Sequence, residues 1–374
     1  MKVFKFGGTS VANAVNIEKV SEIILENSKV ENIAVVVSAF GGVTDLLLEA
    51  AKKAANKDDA YKTTFEVIET RHIEVVKTLI PVMEQSAILS NVKRQLNHLE
   101  TLFDGCFLLG ELSSRTSDTI VSFGEMLSSY IISEVLKTKT DNIAFKDSRE
   151  IIKTNNAYGK GIVDFKTTDA LIQDYFKSNT AKITLLPGFV ASSPDGNTTT
   201  LGRGGSDYTA AIIASAINAS ILEIWTDVSG MYTANPKLVK QALPIEKMSY
   251  EEAMELSHFG AKVLYPPTVQ PVLNKNIPIL IKNTFEPEAY GTLISNTPEA
   301  SSNPIKGIAY SVTRATAVEF AVNCSQRLLK ETLRVMSVAI CKTSVPHNQN
   351  IPKDMKKLLK GKATAMIANP RNCE

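Results

Sequence analysis

Residues 2–42 read KVFKFGGTSVANAVNIEKVSEIILENSKVENIAVVVSAFGG, and they already indicate a fold class. The first five residues predict a short strand that ends in a glycine pair. Apolar residues between Ile17 and Ile24 then recur at spacings of three and four, which predicts a helix. The run at 33–37, IAVVV, is typical of a strand buried on both faces of a parallel sheet. A strand, a helix and a strand, with glycines at the strand ends, favour an α/β protein.

The rest of the chain continues this pattern. The stretch from Gly188 to Gly205 reads as a long polar loop, and the middle of the chain predicts a helical layer or lid beside the sheet. Helical patterns cover 46–55, most of 63–136, 207–217 and 249–264, and strand patterns cover 182–186, 221–225 and 278–282.

Composition excludes several classes of protein. The 374 residues are 44% hydrophobic and 21% charged, as in an ordinary globular chain of about two domains. With 41 Lys and Arg against 39 Asp and Glu, the charge of +2 gives no sign of nucleic-acid binding. No apolar run approaches the roughly 20 residues that span a bilayer, and the N-terminus lacks the apolar segment of a signal peptide. Four scattered cysteines argue against a zinc site or disulfides, so we expect a cytoplasmic protein without membrane partners.

The first candidate site is KFGGTS at 5–10. Glycines let backbone N–H groups approach an anion, and the following helix adds the positive end of its dipole. Lys5 lies at the carboxyl end of a strand, where ligands bind in open α/β sheets. An ordinary strand turn explains these residues equally well, because they match neither the P-loop nor the dinucleotide fingerprint.

The second candidate site is TTTLGRGGSD at 198–207. Ser206 or Asp207 is a natural N-cap for the predicted helix. A flexible glycine loop would also present Arg203 to a carboxylate or phosphate, which its guanidinium can bind through two hydrogen bonds. Because a cap needs no arginine between glycines, we favour a binding role here.

Three further candidates are weaker. The stretch WTDVSGMYTANP at 225–236 is either an ordinary turn or a nucleotide pocket in which Tyr232 packs on a base. Lys262 ends an apolar helical pattern, where lysine usually faces water or the helix C-terminus. Glu125 lies in an apolar helix, and a buried acid there needs a cationic partner.

The histidines offer no general base. His72 and His98 fall in the helical region and are expected at the surface, and a lone His258 is usually structural. A mechanism without a histidine base is therefore expected if the chain is an enzyme.

Six stretches together resemble the aspartokinase family of the amino-acid kinase superfamily. The likeness is nearest to the kinase part of bifunctional aspartokinase–homoserine dehydrogenases and covers residues 1–307. It implies a mainly parallel central sheet sandwiched by helices. The matching stretches are KFGGTSV at 5–11, VSAFGGVTD at 37–45, SFGEMLS at 122–128, TTTLGRGGSDYTA at 198–210, WTDVSGMYTANP at 225–236 and FGAKVLYPPTV at 259–269.

The resemblance implies an aspartate kinase. Such an enzyme uses ATP and Mg²⁺ to phosphorylate the side-chain carboxylate of L-aspartate, the first step toward lysine, threonine and methionine. A carboxylate is already an ionised nucleophile, so this chemistry needs no general base.

The resemblance also implies roles, residue by residue. Lys5 and Asp207 are the expected catalytic residues, Lys5 at the transferring phosphoryl group and Asp207 orienting Lys5 or lying near the phosphates and Mg²⁺. Arg203 would hold a carboxylate of aspartate, and Glu125 its α-ammonium group. The implied aspartate site is Ser38, Thr44, Glu125, Arg203 and Ser206, and the implied nucleotide site is Gly7, Gly8, Thr226, Asp227, Tyr232, Lys237 and Lys262. Lys237 stands where the family often has arginine, and Asn235 replaces an acidic residue.

The end of the chain departs from the family. Residues 308–374 carry 11 Lys and Arg against 4 Asp and Glu, and three of the four cysteines. We expect an atypical basic tail here in place of complete ACT regulatory domains, from a reading frame interrupted near Gly307. A homodimer is compatible with the resemblance but is weakened by the missing ACT domains.

Three alternatives remain open. A kinase of the same superfamily acting on glutamate or acetylglutamate shares the sheet and the glycine-rich loop. A non-catalytic regulatory subunit would be expected to lack Lys5, Arg203 or Asp207. The third is a truncated and inactive aspartokinase-like chain.

Overall fold

A computed structural model describes residues 1–236, 239–258, 264–296, 308–313 and 316–321. The strands are β1 (Lys2–Phe6), β2 (Ile33–Val37), β3 (Ile143–Phe145), β4 (Ile183–Pro187), β5 (Val190–Ser192), β6 (Thr198–Thr200), β7 (Leu222–Thr226), β8 (Met231–Tyr232), β9 (Pro244–Ile245), β10 (Lys247–Ser249), β11 (Ile279–Asn283), β12 (Thr292–Ser295), β13 (Ile308–Thr313) and β14 (Thr316–Ala321). The helices are α1 (Ala14–Ser28), α2 (Val43–Ala55), α3 (Tyr61–Leu79), α4 (Val82–Leu109), α5 (Ser114–Lys137), α6 (Ser148–Ile151), α7 (Phe165–Ser178), α8 (Gly205–Ala216), α9 (Tyr250–His258) and α10 (Gln270–Leu273).

Among these residues, eight strands form one sheet in the order β10-β12-β11-β7-β1-β2-β4-β3. Its neighbouring strands are parallel except for the antiparallel pair β11 and β12. Strand β1 lies between β2 and β7, with Phe6 opposite both Val37 and Trp225. The expected mainly parallel sheet is confirmed.

Helices cover both faces of this sheet, and its inner strands β2 and β4 are buried at every residue. All five residues of β2 are buried. Alternate residues of β2, beginning with Ile33, pack into a core shared with α1 to α5, whereas Ala34 and Val36 pack into a second core shared with α7 and α8. Such period-two division is what a strand buried on both faces requires.

Helix α5 is the central helix of the first core. It is long and apolar enough to cross a membrane by length and composition, but 78% of its most apolar window is buried inside the protein. That burial is typical of a core helix in a globular fold.

Two predictions for secondary structure need correction. The predicted polar loop at 188–205 contains the hairpin of β5 and β6, whose Thr198 to Thr200 are β-branched residues that suit a strand. The predicted helix at 249–264 is helical from Tyr250 to His258 and no longer helical at Leu264, just before the 3₁₀ turn Pro266–Thr268.

The chain divides into two compact units, Met1–Val322 and Asn323–Glu374. Within the first, β13 and β14 pair antiparallel. The second unit lies outside the described residues, and so does most of the expected basic tail. The expected domain boundary at 307 stays a prediction.

Candidate active site

The loops that follow four parallel strands meet at one edge of the sheet. Strands β1, β2, β4 and β7 lie side by side and all end there. The carboxyl edge of an open α/β sheet is where ligands bind. The candidate site lies at this edge because the glycines and polar residues of the predicted motifs directly follow these strands.

A cavity of about 710 Å³ opens at this edge. It brings together eight of the predicted site residues, which come from four separate stretches of sequence. They are Lys5, Gly8, Ser38, Thr44, Glu125, Arg203, Ser206 and Asp207.

Lys5 and Asp207 form an ion pair inside the cavity. The Lys5 Nζ lies 2.6 Å from Asp207 Oδ1, and the two side chains are only 12% and 14% exposed. Lys5 comes from β1, and Asp207 lies in the first turn of α8. The contact holds the ammonium group at the carboxyl edge, and the expected role of Asp207 in orienting Lys5 stays a prediction.

The glycine loops are packed backbone against backbone. A Cβ added at Gly8 would lie 3.1 Å from the Ala39 carbonyl oxygen, and one added at Gly41 would lie 3.0 Å from that of Gly8. Arg71 joins these loops by donating from Nη2 to the carbonyl oxygens of Ala12 at 3.1 Å and Gly41 at 2.9 Å. Side chains would therefore push apart the loops that form the floor of the cavity.

The Gly7 amide does not face the cavity as expected. It donates a 3.1 Å hydrogen bond to the Trp225 carbonyl oxygen, which extends the pairing of β1 with β7. An anion at this edge would therefore depend more on Lys5 and Gly8, and the expected place of Gly7 in the nucleotide site stays a prediction.

Glu125 is a buried acid on α5 that faces the cavity. It is 4% exposed, and its Oε2 has no hydrogen-bond partner among the described residues. Burial raises the pKa of Glu125 to about 8, although the Ala39 N–H and the Lys5 cation pull it down. The site therefore holds a carboxyl group that a bound cation would return to its ionised form.

The glycine-rich loop before α8 presents Arg203 at the mouth of the cavity. Gly202 and Gly204 have φ values of 73° and 71°, a conformation that favours glycine. The Arg203 side chain is exposed, and its guanidinium lies 5.4 Å from the centre of the Tyr265 ring. The two glycines thus explain how an arginine can stand out from a tight turn.

Ser38, Thr44 and Ser206 complete the predicted acceptor side. Ser38 follows β2, and its carbonyl oxygen accepts a 2.8 Å bond from Ser128 Oγ on α5. Ser206 packs so closely on the end of β4 that a Cβ at Gly188 would lie 2.6 Å from its own. Their placement is fixed by the backbone, whereas their contacts with a substrate stay predictions.

Three of the expected nucleotide residues, Thr226, Asp227 and Tyr232, lie outside the lining of this cavity. Thr226 ends β7 beside β1 and donates from Oγ1 to Asp227 Oδ1 at 3.2 Å. Tyr232 lies in β8, paired with Pro244. None of these three lines the cavity. Lys237 and Lys262 lie outside the described residues, so their roles stay predictions.

The expectation that His72 is a surface residue is wrong. Its side chain is fully buried, stacked on Phe40 at 4.8 Å between ring centres, with Nδ1 2.6 Å from the Ile68 carbonyl oxygen. Burial lowers the pKa of His72 to about 4. It is a neutral core residue, and His98 is exposed as expected.

Comparisons with known proteins identify the family of this chain. The model of the amino acid kinase family matches residues 1–283. The chain belongs to the amino acid kinase family.

Relatives within the family align with most of this chain. A bifunctional aspartokinase/homoserine dehydrogenase 2 of Arabidopsis thaliana, described as chloroplastic, is 35% identical over 82% of this chain and 34% of its own length. The lysine-sensitive aspartokinase 3 of Escherichia coli is 34% identical over 79% of this chain and 64% of its own. The chain thus spans about a third of the length of the bifunctional relatives it matches.

Solved structures agree with these relatives. The structure of E. coli aspartokinase III in complex with aspartate and ADP superposes with a TM-score of 0.75 at 29% identity. The match covers 94% of this chain and 77% of that one. This chain therefore has the aspartokinase fold.

Sequence reasoning missed Asp118, Phe189 and Gly159, which also line the cavity. Asp118 precedes Glu125 by seven residues, close to two helical turns, so the two acids share one face of α5. That spacing could have revealed Asp118. Phe189 has a φ of 67°, and no feature of the sequence predicts this backbone conformation.

Proposed function

We propose that this chain phosphorylates the side-chain carboxylate of L-aspartate with ATP, giving 4-phospho-L-aspartate and ADP. One observation carries the proposal: the Lys5–Asp207 pair, Arg203 and the buried Glu125 carboxyl group, whose Oε2 has no hydrogen-bond partner among the described residues, line one cavity at the carboxyl edge of the sheet. The solved E. coli aspartokinase III complex with aspartate and ADP supports it.

The acceptor amino acid matches the charges of the cavity. Glu125 offers a desolvated carboxyl group to the α-ammonium, and the resulting ion pair would offset the cost of burying that acid. Arg203 offers two parallel hydrogen bonds to a carboxylate. Ser38, Thr44 and Ser206 supply hydroxyl groups at the same wall. A ligand with one cation and two carboxylates satisfies more of these groups than a simple carboxylic acid does.

The reaction needs positioning more than proton transfer. A side-chain carboxylate oxygen attacks the γ-phosphorus of ATP, the bond from that phosphorus to the β,γ-bridging oxygen breaks, and ADP leaves with the electron pair. No proton has to be removed, which agrees with a neutral, buried His72. Lys5 would neutralise the charge on the phosphoryl oxygens during transfer, and Asp207 would hold Lys5 in place.

ATP and Mg²⁺ are the proposed cofactors. Thr226, Asp227 and Tyr232 follow β7, beside the strand that carries Lys5, and would hold the nucleotide with Lys237 and Lys262. The described residues contain no group of three or more His, Cys, Asp or Glu that could cage a metal. Mg²⁺ usually binds through substrate phosphates and one or two carboxylates, and Asp207, beside Lys5 in the cavity, would supply such a carboxylate. When bound it would neutralise phosphate charge.

The setting of the reaction is part of the proposal. We place the catalytic domain at residues 1–307, in the cytoplasm, at the first step of lysine, threonine and methionine biosynthesis. A homodimer would suit the family.

A hydroxamate assay tests the proposed function. Purified chain, MgATP and hydroxylamine are incubated with L-aspartate, L-glutamate, N-acetylglutamate or no acid, and the acyl phosphate is trapped as its hydroxamate. We expect product with aspartate well above the other arms. Product with glutamate or acetylglutamate instead would move the chain to another kinase of the superfamily. Absence of product in every arm would favour an inactive chain.

A further inference from the structure

A second buried acid lies two helical turns from Glu125 on α5. Asp118 is 3% exposed, and burial raises its pKa. Unlike Glu125, it is fully hydrogen-bonded. Both of its oxygens accept from the Gly159 N–H at 2.9 Å, Oδ2 accepts from the Thr200 N–H at 2.9 Å, and Oδ1 accepts from Thr200 Oγ1 at 3.0 Å.

These bonds join three parts of the cavity wall. Gly159 belongs to the turn after α6, Thr200 ends β6, and Asp118 lies near the start of α5. The turn and β6 also meet directly, since the Gly161 N–H donates to the Thr200 carbonyl oxygen at 2.7 Å. A Cβ at Gly202 would lie 3.3 Å from the Gly159 carbonyl oxygen. Asp118 thus joins the turn and the end of β6 to the start of α5.

The positions of Glu125 and Arg203 both depend on this junction. Glu125 is seven residues after Asp118 on one rigid helix, and Arg203 is three residues after Thr200. We propose that Asp118 is a positioning residue that sets the distance between the Glu125 carboxylate and the Arg203 guanidinium, and so the length of the amino acid that fits between them. The inference rests on the proposed function and extends it to acceptor specificity.

Two substitutions test this role. Asp118→Asn keeps the shape but replaces one acceptor oxygen by an amide that faces backbone donors. Thr200→Val keeps both amide bonds and removes only the hydroxyl donor. We expect Asp118→Asn to raise the KM for aspartate about tenfold, as for the loss of a hydrogen bond to a charged group. The KM for ATP should stay within about twofold, a difference too small to count as the loss of such a bond. The preference for aspartate over glutamate should fall, and Thr200→Val should act in the same direction with a smaller effect.

Glu223→Gln is the matched control. Glu223 is 4% exposed, and it pairs with Lys2 and accepts from Trp225 Nε1 rather than from the loops of the cavity. It should lower stability without changing the KM for aspartate or the preference over glutamate. Equal changes in both KM values for Asp118→Asn, or the same selective change in the control, would overturn the inference.

Hydrogen–deuterium exchange separates this inference from the proposed function. In Asp118→Asn, exchange should speed up in peptides covering 155–162 and 198–203, and much less in the rest of α5. If the wild-type chain does not phosphorylate aspartate, the proposed function fails, and this exchange pattern alone decides the positioning role. Unchanged exchange in both segments would overturn it. If Asp118→Asn does not fold, Thr200→Val decides by the same two measurements.

Discussion

At the scale of single residues, the site combines an ion pair with a buried acid, one oxygen of which is left without a hydrogen bond among the described residues. Lys5 is paired with Asp207 at 2.6 Å, whereas the Glu125 Oε2 has no partner among the described residues. Such an arrangement is costly for a protein alone, because a buried polar group without a partner destabilises the fold. A ligand that brings its own cation removes that cost.

Replacing Lys5 should slow the chemical step. We expect Lys5→Ala to lower kcat about 100-fold or more while the KM for ATP changes little, because its charge matters most in the transition state. Steady-state kinetics with varied ATP measure both. Lys29→Ala, which removes a lysine paired with Glu26 on the surface, is the control and should leave both constants unchanged. Equal losses in kcat and ATP affinity would make Lys5 a binding residue.

Replacing Arg203 should affect the acceptor and spare the nucleotide. Arg203→Ala should raise the KM for aspartate about 10- to 100-fold, the loss of a charged hydrogen-bonded pair. Arg203→Lys should recover only part of it, since an ammonium group cannot form two parallel bonds. Kinetics with each substrate varied in turn show the split. An unchanged KM for aspartate would remove Arg203 from the acceptor site.

Glu125 should make the protein less stable as the pH rises. Its pKa is raised in the folded protein from 4.5 to about 8, so between these values the folded chain binds more protons than the unfolded chain. The contribution of the protonated Glu125 carboxyl group to stability is complete below its pKa in the unfolded chain, and it is lost as the pH rises toward 8. Glu125→Gln should therefore match wild type near pH 5 and be more stable by roughly 3 kcal/mol near pH 9. Urea unfolding at both pH values measures this, and equal stabilities at pH 9 would contradict a buried, unpaired acid.

At the scale of secondary-structure elements, close backbone packing explains the shape of the cavity. Helix α5 approaches the loop after β2 at Gly124, where a Cβ would lie 2.8 Å from the Ala39 Cβ. Strand β4 approaches the first turn of α8 at Gly188 in the same way. These contacts bring the elements that carry Glu125 and Ser206 toward the end of β1.

Two helical glycines form a matched test of this packing. Gly124→Ala should destabilise the protein by about 1–3 kcal/mol through overpacking, and it should impair aspartate binding because it displaces the Ala39 loop. Gly105→Ala, in α4, has no atom within 4 Å of the added Cβ and should stabilise by about 0.5–1 kcal/mol. Chemical denaturation of both variants gives the comparison. Stabilisation by Gly124→Ala would show that α5 does not pack as described.

Elements with a clear period were predictable, and short ones were not. The strands β1, β2, β4, β7 and β11 come from apolar runs, and α1 from its spacing of three and four. The hairpin of β5 and β6 was missed because three-residue strands among glycines and serines carry no period. His72 was misplaced because only tertiary packing against Phe40 shows that this face of α3 is buried.

At the scale of the whole molecule, the cavity lies entirely within the first compact unit, Met1–Val322. The motifs in the sequence predicted the fold. The structure brings eight of the predicted site residues into one cavity, because parallel strands carry distant loops to the same edge of the sheet. The nucleotide side was less predictable, because Tyr232 and its neighbours follow no rule of spacing. Residues 308–374 are more basic than the first part of the chain, and the expectation that they form an atypical tail stays a prediction.

Limited proteolysis tests the proposed boundary. We expect a stable fragment that keeps the N-terminus and ends between residues 307 and 322, the latter being the end of the first compact unit. Mass spectrometry of the fragment gives its end, and the hydroxamate assay shows whether it is active. A protease-resistant chain that extends to residue 374 would contradict an atypical, separate tail.

The central claim is that Lys5 and Arg203 act on the same reacting pair. A crystal structure of the chain with L-aspartate, Mg²⁺ and a non-hydrolysable ATP analogue tests it most directly. We predict the aspartate side-chain carboxylate about 3–3.5 Å from the terminal phosphorus, with Lys5 on the phosphate oxygens, Arg203 on a carboxylate and Glu125 on the α-ammonium. Aspartate bound outside this cavity, or Lys5 without contact to the terminal phosphate, would contradict the account.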